Sequence, residues 1–180
     1  MIYRRLAVFV VLAMLVGCAT SPMQDAEYNL GVDAYQVKDY AAARQHWSKS
    51  VEEHETSALN NLGYLLYYGL GGAADQVRAV SLWMSAASMG HAEAQWHLGR
   101  AFEDGSGVTQ SLVEAYAWYR CAAANSQGVP MGDDSEAQIF QDASKSLTQL
   151  LAKLPTDQLE VSENLAKQYI AKYASKPKLL

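Results

Sequence analysis

The 180-residue sequence has little of the chemistry that marks disulfide-rich, disordered or nucleic-acid-binding proteins. It contains two cysteines and four prolines, too few for a disulfide scaffold or a proline-rich disordered chain. Its 14 basic residues are outnumbered by 19 acidic ones, without any run of lysine or arginine, so a surface suited to nucleic-acid phosphates is not expected. Because half of the residues are apolar, the composition predicts a folded globular chain.

The four histidines lack the spacing of a zinc site. His46 and His54 are eight residues apart and His91 and His97 are six apart, whereas two imidazoles share one helical face at a spacing of four. The sequence therefore predicts no metal ion, and no cofactor beyond a covalent lipid.

Motifs for catalysis are also weak. The glycines of Gly69-x-Gly71-x-x-Ala74 have a dinucleotide-like spacing, but a predicted helix precedes them where that motif requires a strand. Ser106 is flanked directly by Gly105 and Gly107. A nucleophile elbow has its glycines two residues before and two residues after the serine. The acidic pairs are sequence neighbours and do not face each other across a substrate. We predict that the chain is not an enzyme.

The longest apolar run lies at the N-terminus and is too short to cross a bilayer. It extends over 11 residues, from Leu6 to Val16, and follows Arg4 and Arg5. A membrane-spanning helix needs about 20 apolar residues. A basic segment followed by a short apolar run predicts a secretory signal peptide.

The leader ends in Leu15-Val16-Gly17-Cys18, which resembles the lipobox of bacterial lipoproteins. This resemblance implies removal of residues 1–17 and acylation of Cys18, and several acyl chains hold a protein firmly on a membrane. Ala19 stands where inner-membrane retention signals place aspartate. The resemblance thus implies the inner leaflet of a bacterial outer membrane, with the protein facing the periplasm. An uncleaved signal anchor with a chance cysteine is the alternative.

Loss of the leader changes both charge and thiol content. It would leave 12 basic and 19 acidic residues, a net charge of −7. With Cys18 lipidated, Cys121 would be the remaining thiol, so no intramolecular disulfide could form. Cys121 lies in an apolar helical stretch at 117–123 and is predicted to be a buried structural residue. A reactive or intermolecular cysteine is the alternative.

The body of the chain repeats with an offset of 36 residues. Leu62-Gly63 aligns with Leu98-Gly99, and matching glycines, alanines and aromatic residues follow both. A period of this length with small residues at fixed places indicates a helical solenoid. The pattern of each unit predicts two antiparallel helices, of which the first ends at a glycine. An earlier copy contains Ala43 and Trp47, and its segment between helices is four residues shorter.

This pattern resembles the SEL-one-like repeat (SLR) family of tetratricopeptide-related solenoids, over about residues 26–127. The resemblance implies an all-α fold, a right-handed α-α solenoid of about three helix-turn-helix repeats with C-terminal capping helices. Some members carry a cysteine pair in each repeat and this chain does not, so packing alone must hold each hairpin. The residues that match are Leu62-Gly63, Gly69-x-Gly71, Ala79, Trp83, Ala86-Ala87, Leu98-Gly99, Gly105-x-Gly107-Val108, Ala115, Trp118-Tyr119 and Ala122-Ala123.

The predicted organisation has six segments. Capping boxes are predicted at Ser111-x-x-Glu114 and Asp133-x-x-Glu136, where side chains satisfy the free amides of a helix start. The segments are a signal peptide at 1–17, a lipidated linker at 18–25, a tetratricopeptide-like repeat at 26–57, SLR repeats at 58–91 and 92–127, and capping helices with a tail at 128–180.

In tetratricopeptide-type stacks the first helix of each pair lines a concave groove. Aromatic side chains there supply contact area at low entropic cost and recur at interface hot spots. Packing between repeats is an equal alternative for Tyr68 and Trp96, and Trp47, Trp83, Trp118 and Tyr119 are predicted to be core residues. The predicted groove residues are Tyr28, Tyr35, Tyr64, Tyr67, Tyr68, Trp96, Arg100, Glu103 and Asp104.

These features predict a membrane-anchored periplasmic scaffold or adaptor that binds another envelope protein through its groove. An immunity protein that neutralises a secreted antibacterial toxin, a phospholipase or a cell-wall enzyme, is the alternative. Binding of peptidoglycan or another glycan is a third hypothesis, and it is less favoured because the groove has no obvious cluster of polar side chains to hold a glycan.

Overall fold

The computed structural model describes residues 22–53, 55–126 and 134–174. The predicted signal peptide, Cys18 and Asp133 lie outside these ranges. Within them the chain forms eight α-helices and no strand, with short 3-10 turns at Val51–Glu53 and Thr156–Gln158. The helices are α1 (Pro22–Gln36), α2 (Tyr40–Ser50), α3 (Thr56–Tyr68), α4 (Gln76–Ser88), α5 (Ala92–Asp104), α6 (Leu112–Asn125), α7 (Asp134–Leu151) and α8 (Leu159–Tyr173).

The first six helices form three stacked pairs. Helix α1 packs on α2, α3 on α4 and α5 on α6, and the pairs are joined because α2 contacts α3 and α4 contacts α5. Helices α7 and α8 both pack on α6 and cover the last pair. The predicted all-α repeat solenoid is thereby confirmed. Among the described helices, none is long and apolar enough to cross a membrane.

A glycine in the first helix of every pair lies against an aromatic ring of the second. A Cβ atom added to Gly63 would lie 2.6 Å from Nε1 of Trp83, and one added to Gly99 would lie 2.4 Å from Cδ1 of Tyr119. Gly31 has the same relation to Trp47. Since a methyl group would not fit, the glycines allow the two helices to approach closely. The predicted core positions of the three tryptophans and of Tyr119 are confirmed, each at most 2% exposed.

The side chains that begin the helices follow the 36-residue period. Asp39, Asp75 and Ser111 accept a hydrogen bond from the backbone N–H three residues later at the starts of α2, α4 and α6. Glu55 and His91 do the same for α3 and α5. Each cap satisfies one amide that the helix leaves free.

The predicted capping box of α6 is only half formed. Ser111 Oγ accepts from the backbone N–H of Glu114. The backbone N–H of Ser111, however, donates to the carbonyl of Phe102, so it is not free for the Glu114 side chain. Glu114 accepts instead from the Tyr169 hydroxyl of α8, at 2.7 Å. The reciprocal bond of the box was therefore wrongly predicted, because a tertiary partner takes the carboxylate.

The two glycines of each Gly-x-Gly loop have different roles. Gly69 ends α3 in the left-handed region, at φ 69°, and Gly105 ends α5 in the same way. The second glycine contacts the preceding helix pair, since a Cβ on Gly71 would lie 2.4 Å from the carbonyl oxygen of Tyr40. Gly107 has the same relation to Gln76. The first pair lacks this loop, and a non-glycine residue with φ 63°, Lys38, follows α1.

Helix α8 is held on α6 by aromatic contacts. The rings of Tyr169 and Tyr173 lie 4.6 and 5.4 Å from that of Trp118. Cys121 on α6 is fully buried, and burial raises the pKa of its thiol to about 12. A buried neutral thiol packs as a small apolar side chain, which agrees with the predicted structural role.

Candidate partner-binding face

A pocket of about 460 Å³ opens on the face formed by α1, α3 and α5. We call it the N-terminal pocket. Three predicted groove tyrosines, one from α3 and two from α1, contribute to its wall. The lining residues are Tyr28, Val32, Tyr35, Trp47, Asn60, Asn61, Tyr64 and Glu93.

Helical spacing explains why these side chains meet. Tyr28, Val32 and Tyr35 lie four and then three residues apart on α1, a spacing that places side chains on one face. Asn60 and Tyr64 are four residues apart on α3. Glu93 lies in the first turn of α5, so the pocket spans all three helix pairs.

The floor of the pocket is polar and incompletely hydrogen-bonded. Asn60 is 2% exposed, and its Nδ2 donates to Glu93 Oε2 at 2.9 Å and to Asn61 Oδ1 at 3.3 Å. Its backbone carbonyl accepts from Trp83 Nε1 at 3.1 Å. Asn60 Oδ1 has no hydrogen-bond partner. A buried acceptor left in this state costs about 1–3 kcal/mol.

The pocket carries a negative charge next to neutral phenols. His97 Nε2 lies 3.7 Å from Glu93 Oε1. This imidazole is the main cause of the lowered pKa of Glu93, and burial of the carboxylate opposes it. The Glu93 side chain is 44% exposed, so its charge is accessible. Burial raises the pKa of Tyr28 and of Tyr35, which keeps both hydroxyls protonated.

A second pocket of about 320 Å³ lies where α7 meets α5 and α6, and we call it the C-terminal pocket. Trp96 Nε1 donates to Ser146 Oγ of α7 at 3.2 Å. Glu103 accepts from the Tyr119 hydroxyl at 2.9 Å and from Lys153 Nζ at 2.7 Å. Its lining residues are Trp96, Arg100, Glu103, Asp104, Tyr119, Asp142, Lys145, Ser146 and Gln149.

Tyr67 and Tyr68 line neither pocket. The ring of Tyr67 lies 5.0 Å from that of Trp83 and therefore packs on the core. Tyr68 is 43% exposed, and its hydroxyl accepts from Arg100 at 3.3 Å. The Arg100 guanidinium also lies over the Trp96 ring at 5.4 Å, so it links α3 to the C-terminal pocket.

The nine predicted groove residues thus fall into three groups. Tyr28, Tyr35 and Tyr64 meet in the N-terminal pocket, and four residues of α5 meet in the C-terminal pocket. Tyr68 connects the two, since its ring lies 4.8 Å from that of Tyr64 and its hydroxyl accepts from Arg100, and Tyr67 packs on the core. Their role in binding stays a prediction.

Sequence reasoning missed the polar residues of the N-terminal pocket, Asn60, Asn61 and Glu93. One signal was present, because two consecutive asparagines inside a predicted helix are poor helix formers and indicate a role other than helix stability. The pairing of Asn60 with Glu93 spans 33 residues, which no local pattern reports. Over the described ranges, no group of three His, Cys, Asp or Glu side chains is arranged to hold a metal ion.

Known proteins share this sequence pattern and fold. Human Protein sel-1 homolog 2 is 29% identical over 104 residues, which cover 54% of this chain and 15% of the human protein. The crystal structure of c5321, a protective antigen of uropathogenic Escherichia coli strains displaying an SLR fold, matches with TM-score 0.73 and 28% identity, over 84% of this chain and 30% of c5321. A Sel1 repeat protein from Oxalobacter formigenes matches with TM-score 0.51 and 27% identity, over 66% of this chain and 88% of that one.

The chain therefore spans less than a third of the human and Escherichia coli proteins. Sel1-repeat proteins are generally non-enzymatic scaffolds, and their fold suggests a module for protein–protein interaction. The Sel1 repeat family matches residues 24–53, 56–91 and 92–126, which together make up more than half of the sequence. With three helix pairs that share one glycine–aromatic packing, the chain belongs to the Sel1 repeat family.

Proposed function

We propose that this chain is a non-enzymatic scaffold or adaptor that binds another cell-envelope protein through the face formed by α1, α3 and α5. The observation that carries the proposal is the N-terminal pocket, which gathers three tyrosines and a buried, incompletely bonded amide on that face.

The aromatic side chains suit a protein partner. Tyr35, in the N-terminal pocket, is 37% exposed, and Tyr68, outside both pockets, is 43% exposed. Tyrosine gives a large contact area with few rotors to order, and interface hot spots are rich in this residue. A segment of the partner that lies across the three helix pairs would contact both pockets at once.

The proposal includes a lipid anchor on Cys18, with the solenoid in the periplasm at the inner leaflet of the outer membrane. It is supported by the Leu15-Val16-Gly17-Cys18 motif and by the basic and apolar residues before it. Only a few residues separate Cys18 from the start of α1 at Pro22, so the anchor would hold the binding face close to the bilayer.

The anchor is tested by mass spectrometry of the N-terminal peptide of the protein purified from its membranes. A peptide that begins at an acylated Cys18 is the expected result. A Cys18→Ser variant is expected to lose this modification and to leave the membrane fraction. An unmodified peptide that begins at Met1 would refute the anchor.

Partner binding is tested by cross-linking in intact envelopes, followed by purification and mass spectrometry. The test variant is Tyr35→Ala/Tyr64→Ala, and the control is Val77→Ala/Val161→Ala, which alters two exposed apolar residues outside both pockets. Both should keep the wild-type circular dichroism. The expected result is one partner that the tyrosine variant loses and the control keeps. A partner retained equally by all three proteins would overturn the binding face.

The same experiment separates the scaffold from the immunity alternative. Recovery of a resident secretion, pilus or wall-assembly protein supports the scaffold. Recovery of a secreted phospholipase or cell-wall hydrolase, together with protection of the producing cells from that toxin, would replace the scaffold with an immunity protein.

A further inference from the structure

We infer that the N-terminal pocket receives an arginine side chain from an extended segment of the partner protein. The inference rests on the proposed function and deepens it, because it names the chemistry that the pocket recognises. Three independent features of the pocket support it: its charge, its walls and its unpaired acceptor.

The charge of the pocket favours a cation. Glu93 is the ionised residue of the lining, and no lining residue is basic. Its pKa is lowered, so it is charged at neutral pH, and its side chain is 44% exposed. Its contact with a basic side chain is to the imidazole of the buried His97, at 3.7 Å, and the lining offers it no lysine or arginine. The accessible carboxylate therefore attracts a positively charged side chain and repels an acidic one.

The walls of the pocket are aromatic. Tyr28, Tyr35, Tyr64 and Trp47 all contribute to the lining. Tyr35 is 37% exposed, and its ring lies 5.7 Å from that of Trp47, which is buried. The face of an aromatic ring attracts a cation, and a planar guanidinium also stacks on it, which the ammonium group of lysine cannot do.

The floor of the pocket distinguishes arginine from lysine. Asn60 Oδ1 has no donor, and Nδ2 of the same amide holds Glu93 Oε2 at 2.9 Å. The unpaired amide oxygen and the carboxylate are therefore neighbours. A guanidinium carries N–H donors in a fixed fork that matches a carboxylate through two parallel hydrogen bonds, so it can engage Glu93 in this way, whereas lysine offers a single point of charge.

The test measures binding of short blocked peptides to the folded chain without its leader, residues 19–180. The probes are Ala-Ala-Arg-Ala-Ala and its counterparts with lysine, glutamate or citrulline at the centre; citrulline keeps the shape of arginine without its charge. Free L-argininamide is the fifth probe. Binding is followed by NMR shifts of the Asn60 side-chain amide and of the Trp47 indole N–H.

The arginine peptide is expected to shift both signals and to bind about tenfold more tightly than the citrulline peptide. Glu93→Gln retains an oxygen that can accept from Asn60, and it should abolish the preference for arginine. Glu163→Gln is the control, since it removes an exposed carboxylate on α8 outside the pocket, and it should retain the preference.

Several results would overturn the inference. They are equal binding of the lysine and arginine peptides, tighter binding of the glutamate peptide, no shift of Asn60 or Trp47 with any peptide, and a preference for arginine that Glu93→Gln retains. Binding of L-argininamide as tight as that of the arginine peptide would indicate a free small molecule in place of a protein segment.

Failure of this inference is distinguishable from failure of the proposed function. If partner capture depends on Tyr35 and Tyr64 but is unchanged by Glu93→Gln, the scaffold stands and the arginine inference falls. If the peptides bind as expected but no partner depends on these tyrosines, the scaffold falls.

Discussion

The indole of Trp83 lies directly against Gly63, so that a Cβ atom on residue 63 would lie 2.6 Å from Nε1. The same Nε1 donates to the backbone carbonyl of Asn60, one turn earlier on α3, at 3.1 Å. Trp47 repeats this geometry, donating to the carbonyl of Tyr28 at 3.2 Å next to Gly31. The tryptophan thereby fixes the distance between the helices of a pair and satisfies its own buried donor.

Gly63→Ala is expected to destabilise the protein, although alanine normally stabilises a helix interior relative to glycine by about 0.5–1 kcal/mol. The added methyl group would displace the Trp83 indole, which is 1% exposed and has no free space to move into. Overpacking of this kind costs about 1–3 kcal/mol. Urea denaturation followed by tryptophan fluorescence measures the change in the free energy of unfolding.

Gly72→Ala is the matched control. A Cβ on Gly72 would meet the end of the Arg44 side chain, and a flexible guanidinium can shift at little cost. Its free energy of unfolding should remain within about 0.5 kcal/mol of the wild type. A Gly63→Ala protein as stable as this control would contradict the packing described for Trp83.

Replacement of the two glycines after α3 should lower the free energy of unfolding by different amounts. Gly69→Ala places a side chain at φ 69°, which costs about 1–2 kcal/mol. Gly71→Ala adds to a similar backbone cost a contact of 2.4 Å with the carbonyl oxygen of Tyr40, which belongs to the preceding helix pair. We therefore expect Gly71→Ala to be the more destabilising.

Hydrogen exchange locates the effect of these two substitutions. Gly71→Ala should increase exchange at the start of α2, because its methyl group pushes against that backbone. Gly69→Ala should act mainly at the end of α3. Equal exchange of α2 in the two variants would argue against the contact between repeats.

The sequence was sufficient for the repeat architecture but not for the arrangement of the candidate site. The 36-residue period identified Gly63, Trp83 and their counterparts because packing inside a helix pair is local and recurs. The hydrogen bond from Trp96 to Ser146 spans 50 residues and depends on where α7 docks. No periodic pattern encodes that docking, so the division of the predicted groove into two pockets was not foreseen.

Cys121 is expected to be inert in the folded protein. Its thiol is fully buried, and burial raises its pKa to about 12, so almost no thiolate exists at pH 8, and the thiolate is the reactive form. A colourimetric thiol reagent at pH 8 should react with the chain lacking its leader (19–180) only after urea is added. Rapid labelling without urea would show that α6 and α8 do not shield this residue.

His91 is expected to make stability depend on pH. Its Nδ1 caps α5 by accepting from the backbone N–H of Ala94 at 3.3 Å, which requires a neutral imidazole. Burial lowers its pKa below the ordinary value of 6.5, assisted by His97 and opposed by Glu93 and Glu55. The unfolded chain therefore takes up this proton at higher pH than the folded chain does.

The contribution of neutral His91 is complete above pH 6.5 and is lost as the pH falls through the lower folded-state pKa. His91→Ser keeps a good helix cap but does not titrate, so its unfolding free energy should fall less between pH 7.5 and 5.5 than that of the wild type. Urea denaturation at both pH values measures the two differences. If the wild type and His91→Ser lost equal stability, the pKa of His91 would be the same in the folded and unfolded chains, and the cap would not depend on its protonation.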